Sequence, residues 1–98
     1  MATPPLTTVE INEALRALPG WACERDALTK DFKFGSFREA MSFMVRVSYD
    51  ADAMDHHPEW TNIYNRVAVR INTHDAGSKV TEKDVALARK IQGLSWVG

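Results

Sequence analysis

Cysteine is almost missing from this sequence: Cys23 is the only one in 98 residues. A lone thiol closes no disulfide within the chain and nucleates no zinc finger. It is not expected to act as a nucleophile. It reads as a small buried apolar residue in a strand. An excess of one charge is missing too, since 12 basic residues stand against 13 acidic ones, for a net charge of −1. That argues against a dedicated nucleic-acid binder and gives no reason to expect an anionic membrane surface as partner. No uncharged run approaches the roughly 18 residues that span a bilayer. Residues 1–6 have neither a basic nor an apolar region, so no signal peptide is expected and the setting is read as cytoplasmic. There is no Gly-rich phosphate loop, no Gly-x-Ser-x-Gly elbow and no Cys-x-x-Cys pair. Nucleotide hydrolysis, hydride transfer on a dinucleotide-binding fold, serine hydrolysis and dithiol redox chemistry therefore leave the field.

What is present is an ordinary globular composition, 45 % hydrophobic and 26 % charged. The sequence reads as one domain over residues 1–98, with residues 1–5 as a mobile tail. About a third of the surface of so short a chain stays exposed on folding, so an oligomer would be a natural supplement. Thr7-x-x-Glu10 is a capping box, and Pro19-Gly20 ends the helix that follows. Residues 21–24 and 28–34 read as a hairpin around an Arg25-Asp26-Ala27 turn. Ser36-x-x-Glu39 is a second capping box, opening a helix that runs to about Met54. Its expected buried stripe is Phe37, Ala40, Met41, Met44, Val47, Ala51 and Met54, with Phe43, Val45 and Tyr49 off it. So wide an apolar surface calls for a second cover, such as another subunit. Residues 60–64 and 66–72 read as a second hairpin, residues 73–79 as a loop. A last helix begins at Thr81 and is ended by Gly93. The order α-β-β-α-β-β-α predicts an α+β fold: one four-stranded antiparallel sheet with three helices packed on one face.

The three histidines, His56, His57 and His74, all fall at element ends. Imidazole gives and takes protons near neutral pH, so histidines converging on one pocket would suit acid/base chemistry. Solvated loop histidines are the plainer alternative. A zinc site is disfavoured, because adjacent ligands on one backbone are awkward and no His-x-x-x-His pair is present. Asp52 stands four residues before His56, on the same side of the helix end, where it is expected to orient one ring nitrogen. Pro58 pushes His57 toward extended geometry, so the two neighbouring imidazoles should point apart. Trp21 and Trp60 read as core aromatics or as a flat wall for a planar heterocycle. Trp96 is expected to pack against the domain or a partner subunit.

Asp52-x-x-x-His56-His57-Pro58, five residues to Tyr64, nine to His74 and nine more to Asp84 make a long spaced pattern. It resembles the signature of the pterin-4a-carbinolamine dehydratase family, as do the flanking stretches from Met54 to Val67 and around Thr73-His74-Asp75. The matching element order covers nearly the whole chain. The resemblance implies the same α+β fold and a hydro-lyase that removes water from 4a-hydroxytetrahydropterin, giving quinonoid dihydropterin, with no metal and no organic cofactor. It carries catalytic roles to His56, His57 and His74. It carries substrate contact to His56, His57 and Pro58, to Thr73, Asp75 and Ala76, and to Asp52, which is often Glu in the family. Trp21 would border the site. Asp84 matches the signature, but a helix N3 residue has a sufficient structural job, so it stays outside the catalytic set. Implied partners are the pterin, a second copy in a homodimer or homotetramer, and a functional link to an aromatic amino acid hydroxylase. The alternative is a non-catalytic binding module, a transcriptional coactivator or assembly factor, using the apolar face of the second helix.

Overall fold

The computed structural model describes residues 3–97. Of the expected N-terminal tail, Met1 and Ala2 lie outside the described residues. Leu6, just after it, is tied down by donating its N–H to the Val80 carbonyl at 2.8 Å. Helix α1 (Thr8–Leu15) starts at the Thr7 capping box, with Thr7 and Glu10 bonded reciprocally. It ends four residues before Pro19, because a residue preceding proline resists the helical conformation and the chain leaves by tight turns. No residue of α1 is fully buried, and it leans on the core through Ile11, Ala14 and Leu15.

Strands β1 (Ala22–Glu24) and β2 (Ala27–Lys33) form the first hairpin. Its turn is two residues, Arg25 and Asp26, both left-handed at φ 48° and 59°. Ala27, expected in the turn, pairs with Glu24 instead, as a two-residue loop of this hand matches the twist of the flanking strands. Strands β3 (Glu59–Ile63) and β4 (Arg66–Ile71) form the second hairpin. The sheet order is β1-β2-β4-β3, antiparallel throughout. On β2 and β4 the residues Leu28, Lys30, Phe32, Val67, Val69 and Ile71 face inward, and Asp31, Lys33, Arg66 and Ala68 face out. Cys23 was expected to be buried and is exposed, because a three-residue edge strand overhangs the core.

Helices α2 (Phe37–Ala53) and α3 (Glu82–Leu94) cover the inner face. The α2 stripe differs from the expected one. The buried line is Ala40, Phe43, Val47 and Ala51, with Phe43 0 % exposed, while Phe37 and Met41 are 49 % and 38 % exposed. Phe43 wins because it meets Phe32 and Phe34, with ring centroids 4.8 Å and 4.9 Å away. Phe37, Met41, Val45 and Tyr49, spaced by four, form a second apolar line that faces outward. The Ser36 hydroxyl caps α2, but the Glu39 carboxylate accepts from Gly35 N–H and from the Trp96 indole, so the second box is half formed. Trp96 packs on Phe34 and lies beneath the Arg46 guanidinium. Gly93, expected to end α3, lies inside it.

Candidate active site

The site begins with the way α2 ends. Asp55 adopts a left-handed φ of 51°. His56 N–H donates to the Ala51 carbonyl and Asp55 N–H to that of Asp52, at 3.0 Å and 3.1 Å. This double closure is a Schellman motif, with aspartate where glycine is usual. It turns the chain inward, so that the His56 ring is almost covered while the next imidazole, on His57, is 60 % exposed. The two neighbours point apart, as Pro58 led one to expect.

His56 Nε2 lies 2.6 Å from Asp84 Oδ1, a carboxylate oxygen that accepts its N–H. This corrects the expected pairing with Asp52. A side chain at the second-last helical position cannot follow a residue that a left-handed link has turned into the core. Asp52 is 87 % exposed and stands 3.5 Å from His57 Nε2 instead. Such an open pair contributes little to stability.

Asp84 is wholly buried at the N-terminal end of α3 and every contact of its carboxylate is a donor. Oδ2 accepts from Thr73 Oγ1–H and from the Thr81 backbone N–H, both at 2.8 Å. The Thr73 and Thr81 hydroxyls are 2.6 Å apart. Since the Thr73 proton is committed to Asp84, Thr81 must donate to Thr73, while Lys83 N–H donates to Thr81. A chain of ordered donors thus ends on one carboxylate, which also sits where the helix dipole favours negative charge. Asp84 closes the α3 capping box as anticipated and, beyond that, joins the end of α2 to the end of β4. On sequence alone Asp84 stays outside the catalytic set. The signal for it was its place in the spaced pattern, and its capping role was a sufficient explanation that hid a second one.

Thr73 is followed by a short 3₁₀ turn, His74–Ala76, closed by Gly77 at φ 75°. His74 and Asp75 are exposed and Ala76 is half-buried. His56, Thr73 and, through its neighbour, His74 therefore share one anchor. A cavity of about 430 Å³ opens beside His57, between Asp52, Pro58, Trp60 and Tyr49. A larger one of about 600 Å³ lies on the outer sheet face near Lys33, Tyr64 and Arg66, and no histidine lines it.

Trp21 lies elsewhere. It is 6 % exposed and donates its indole N–H to Gln92 Oε1 at 3.0 Å, in the last turn of α3. Gln92 is eight residues from Asp84, roughly 12 Å along a helix. The same oxygen accepts from Lys30 Nζ at 2.8 Å, and burial pushes that ammonium below the usual 10.5. Among the described residues no group of three or more His, Cys, Asp or Glu is placed to hold a metal ion.

The comparisons with known proteins agree with one another. The pattern of the pterin 4 alpha carbinolamine dehydratase family matches residues 4–94. A protein of Opitutus terrae, provisionally named pterin-4-alpha-carbinolamine dehydratase, is 62 % identical over 93 residues, covering 95 % of this chain and 96 % of its own. One of Rhizorhabdus wittichii with the same provisional name is 45 % identical over 97 residues, covering 97 % and 99 %. A crystal structure from Brucella melitensis, described as a transcriptional coactivator/pterin dehydratase, superimposes with a TM-score of 0.87 at 47 % identity, covering 92 % of this chain and 97 % of that one. On fold, motif and overall likeness together, the chain belongs to the pterin 4 alpha carbinolamine dehydratase family.

Proposed function

We propose that this protein, acting as a single domain in the cytoplasm, is a hydro-lyase that dehydrates 4a-hydroxytetrahydropterin. The reaction expels the C4a hydroxyl, which leaves as water only after it gains a proton. The ring nitrogen loses a proton as the C=N bond forms, giving quinonoid dihydropterin. One acid and one base suffice, and the step draws on no metal or organic cofactor. His56 and His74 are the acid/base pair flanking C4a, and His57 positions the pterin. Pro58, Thr73, Asp75, Ala76 and Asp52 contact the substrate; the bordering role that the family resemblance implies for Trp21 is the one part of the reading that its buried position against Gln92 does not support. The observation that carries this reading is the Asp84 carboxylate, which holds His56 at 2.6 Å and the neighbour of His74 at 2.8 Å. One imidazole and the residue before another, from different elements, are thereby tied to one buried group. Trp60 and the cavity beside His57 offer a flat wall to a planar ring.

The test is the rate of dehydration of enzymatically generated 4a-hydroxytetrahydropterin, followed by ultraviolet absorbance with and without chelator. Chelator-resistant acceleration is expected. His74→Ala should lower turnover at least about tenfold, within the reach of acid–base assistance. Wild-type turnover in a folded variant would remove His74 from the pair.

A second reading is favoured by the outward apolar line Phe37, Met41, Val45 and Tyr49 on α2, and by the coactivator half of the Brucella description. It is a protein-binding surface. Its first occupant is a second copy of the chain, giving a homodimer or homotetramer, and light scattering of an 11.0 kDa species at micromolar concentration would count against this. A link to an aromatic amino acid hydroxylase follows from the substrate, which such enzymes release.

A further inference from the structure

His56 is held through its ring, but the His74 imidazole makes no hydrogen bond among the described residues. Its place is therefore set by its backbone alone, and the ties of that backbone become part of the site. Residues 73–79 form a small closed loop. Thr73 N–H donates to the Lys79 carbonyl at 2.9 Å, Ala76 and Ser78 N–H to that of Thr73 at 3.1 Å, and Gly77 N–H to that of His74 at 3.2 Å. The loop could still swing as a unit about its stem. Two side chains join it to the distant β1–β2 turn. Asn72 Nδ2 donates to the carbonyls of Asp26 and Ser78, each at 3.3 Å. Lys79 Nζ donates to Asp26 Oδ2 at 2.8 Å. On the turn's other side, Arg70 Nη2 donates to the Arg25 carbonyl at 2.9 Å.

The backbone here is unusual. Arg25, Asp26 and Ser78 are all left-handed without being glycine, at φ 48°, 59° and 58°. At Arg25 and Asp26 the hairpin turn itself requires this hand, and at Ser78 it is the surroundings that must hold it. The Asn72 amide bridges the carbonyls of two of these three residues.

We propose that Asn72, with the Arg25–Asp26 turn it grips, is a positioning element for His74. This deepens the dehydratase reading and rests on it. Loosening the clasp leaves the imidazole present but misplaced, and misplacement by about an ångström is felt in turnover more than in binding.

The test uses the whole chain and the variants Asn72→Ala and Asp26→Asn. The second keeps a residue tolerant of left-handed geometry and removes only the ion pair. Backbone amide exchange should quicken at Ala76, Gly77 and Ser78 in Asn72→Ala and stay unchanged in α3. The kcat should fall about tenfold with KM moving less than about twofold, and Asp26→Asn should show the same signs more weakly. On a His74→Ala background Asn72→Ala should cost nothing further, since its effect runs through a ring no longer there. Full additivity on that background, or unchanged exchange at all three loop amides, would overturn the proposal. If the wild-type chain shows no turnover, the dehydratase reading falls, and exchange still decides whether the clasp holds the loop.

Discussion

The two ends of α3 each hold a buried polar cluster, and they are built on the same electrostatic logic. At the N-terminal end the Asp84 carboxylate gathers His56, Thr73 and Thr81. At the C-terminal end Gln92 Oε1 gathers the Trp21 indole and the Lys30 ammonium, which also donates to the Pro19 carbonyl at 2.8 Å. Negative charge near a helix N-terminus and positive charge near its C-terminus are both favoured by the macrodipole. The difference lies in what adjoins each cluster. The first borders exposed chain at His57 and His74, and it contains an imidazole. The second is part-buried and has no imidazole, with Lys30 4.9 Å from the Phe32 ring centroid. Helix-end electrostatics place polar groups equally well for stability and for chemistry. Under the proposed dehydratase reading, an imidazole and adjoining exposed chain separate the two uses.

The comparison breaks most readily at Asp84. Asp84→Ala strands the His56 N–H, the Thr73 hydroxyl and the Thr81 N–H in a buried place. Removing one partner of such a pair costs about 3–5 kcal/mol, a large part of the roughly 5–15 kcal/mol that holds a domain together. Denaturant unfolding should show the loss in its midpoint. Asp84→Asn keeps the shape and loses the charge, so it should unfold later than Asp84→Ala and still lose most turnover. An Asp84→Asn chain with full turnover would reduce the N-terminal cluster to a second structural knot.

Gln92→Leu is the matching change at the other end and a smaller one. It removes the acceptor of the Trp21 N–H and one acceptor of the Lys30 ammonium, which keeps the Pro19 carbonyl, and costs about 1–3 kcal/mol. The melting temperature should fall while turnover per folded molecule holds within about twofold, because uniform loss of folded protein does not alter the chemistry. A drop in turnover well beyond that would bring the C-terminal end into the site. It would also restore to Trp21 the bordering role that family likeness gives it and that its buried position argues against.

Much of this was legible in the sequence, for reasons that particular residues make plain. Capping at Thr7 and Thr81 and alternation at Val67, Val69 and Ile71 are local signals, and the structure follows them. The α2 stripe was less legible. Two apolar lines, one through Phe43 and one through Phe37 and Met41, satisfy the same period, and only the rings of Phe32 and Phe34 decide between them. Cys23 has the alternation of an inward residue and lacks a strand long enough to bury it. The histidines were legible as a spaced set, but the partner of His56 was not. Asp52 is close along the chain and Asp84 is 28 residues away. Only the left-handed turn at Asp55, unadvertised by any glycine, makes the distant carboxylate the near one.

The smallest expected effect is in alkali, where the part-buried cluster can be read against the open edge of β1. Burial lowers the Lys30 ammonium below its usual 10.5. The folded chain therefore releases this proton before the unfolded chain does. Between the lowered value and 10.5 the unfolded state binds more protons, and stability from this group rises with pH. Cys23 has the opposite sign. Desolvation, and then the Asp26 carboxylate, push its thiol above 9.0, so the unfolded chain ionises first and stability from it falls as pH climbs past 9.0. Urea unfolding of the wild type, Lys30→Met and Cys23→Ser from about pH 8 to about pH 11 separates them, since the other lysines and the tyrosines cancel in the differences. Wild type minus Lys30→Met should rise below 10.5, and wild type minus Cys23→Ser should fall above 9.0. A flat Lys30 difference would mean that the ammonium is as well solvated in the fold as outside it. The C-terminal cluster would then be open to water, and the contrast between the two ends of α3 would rest on the histidines alone.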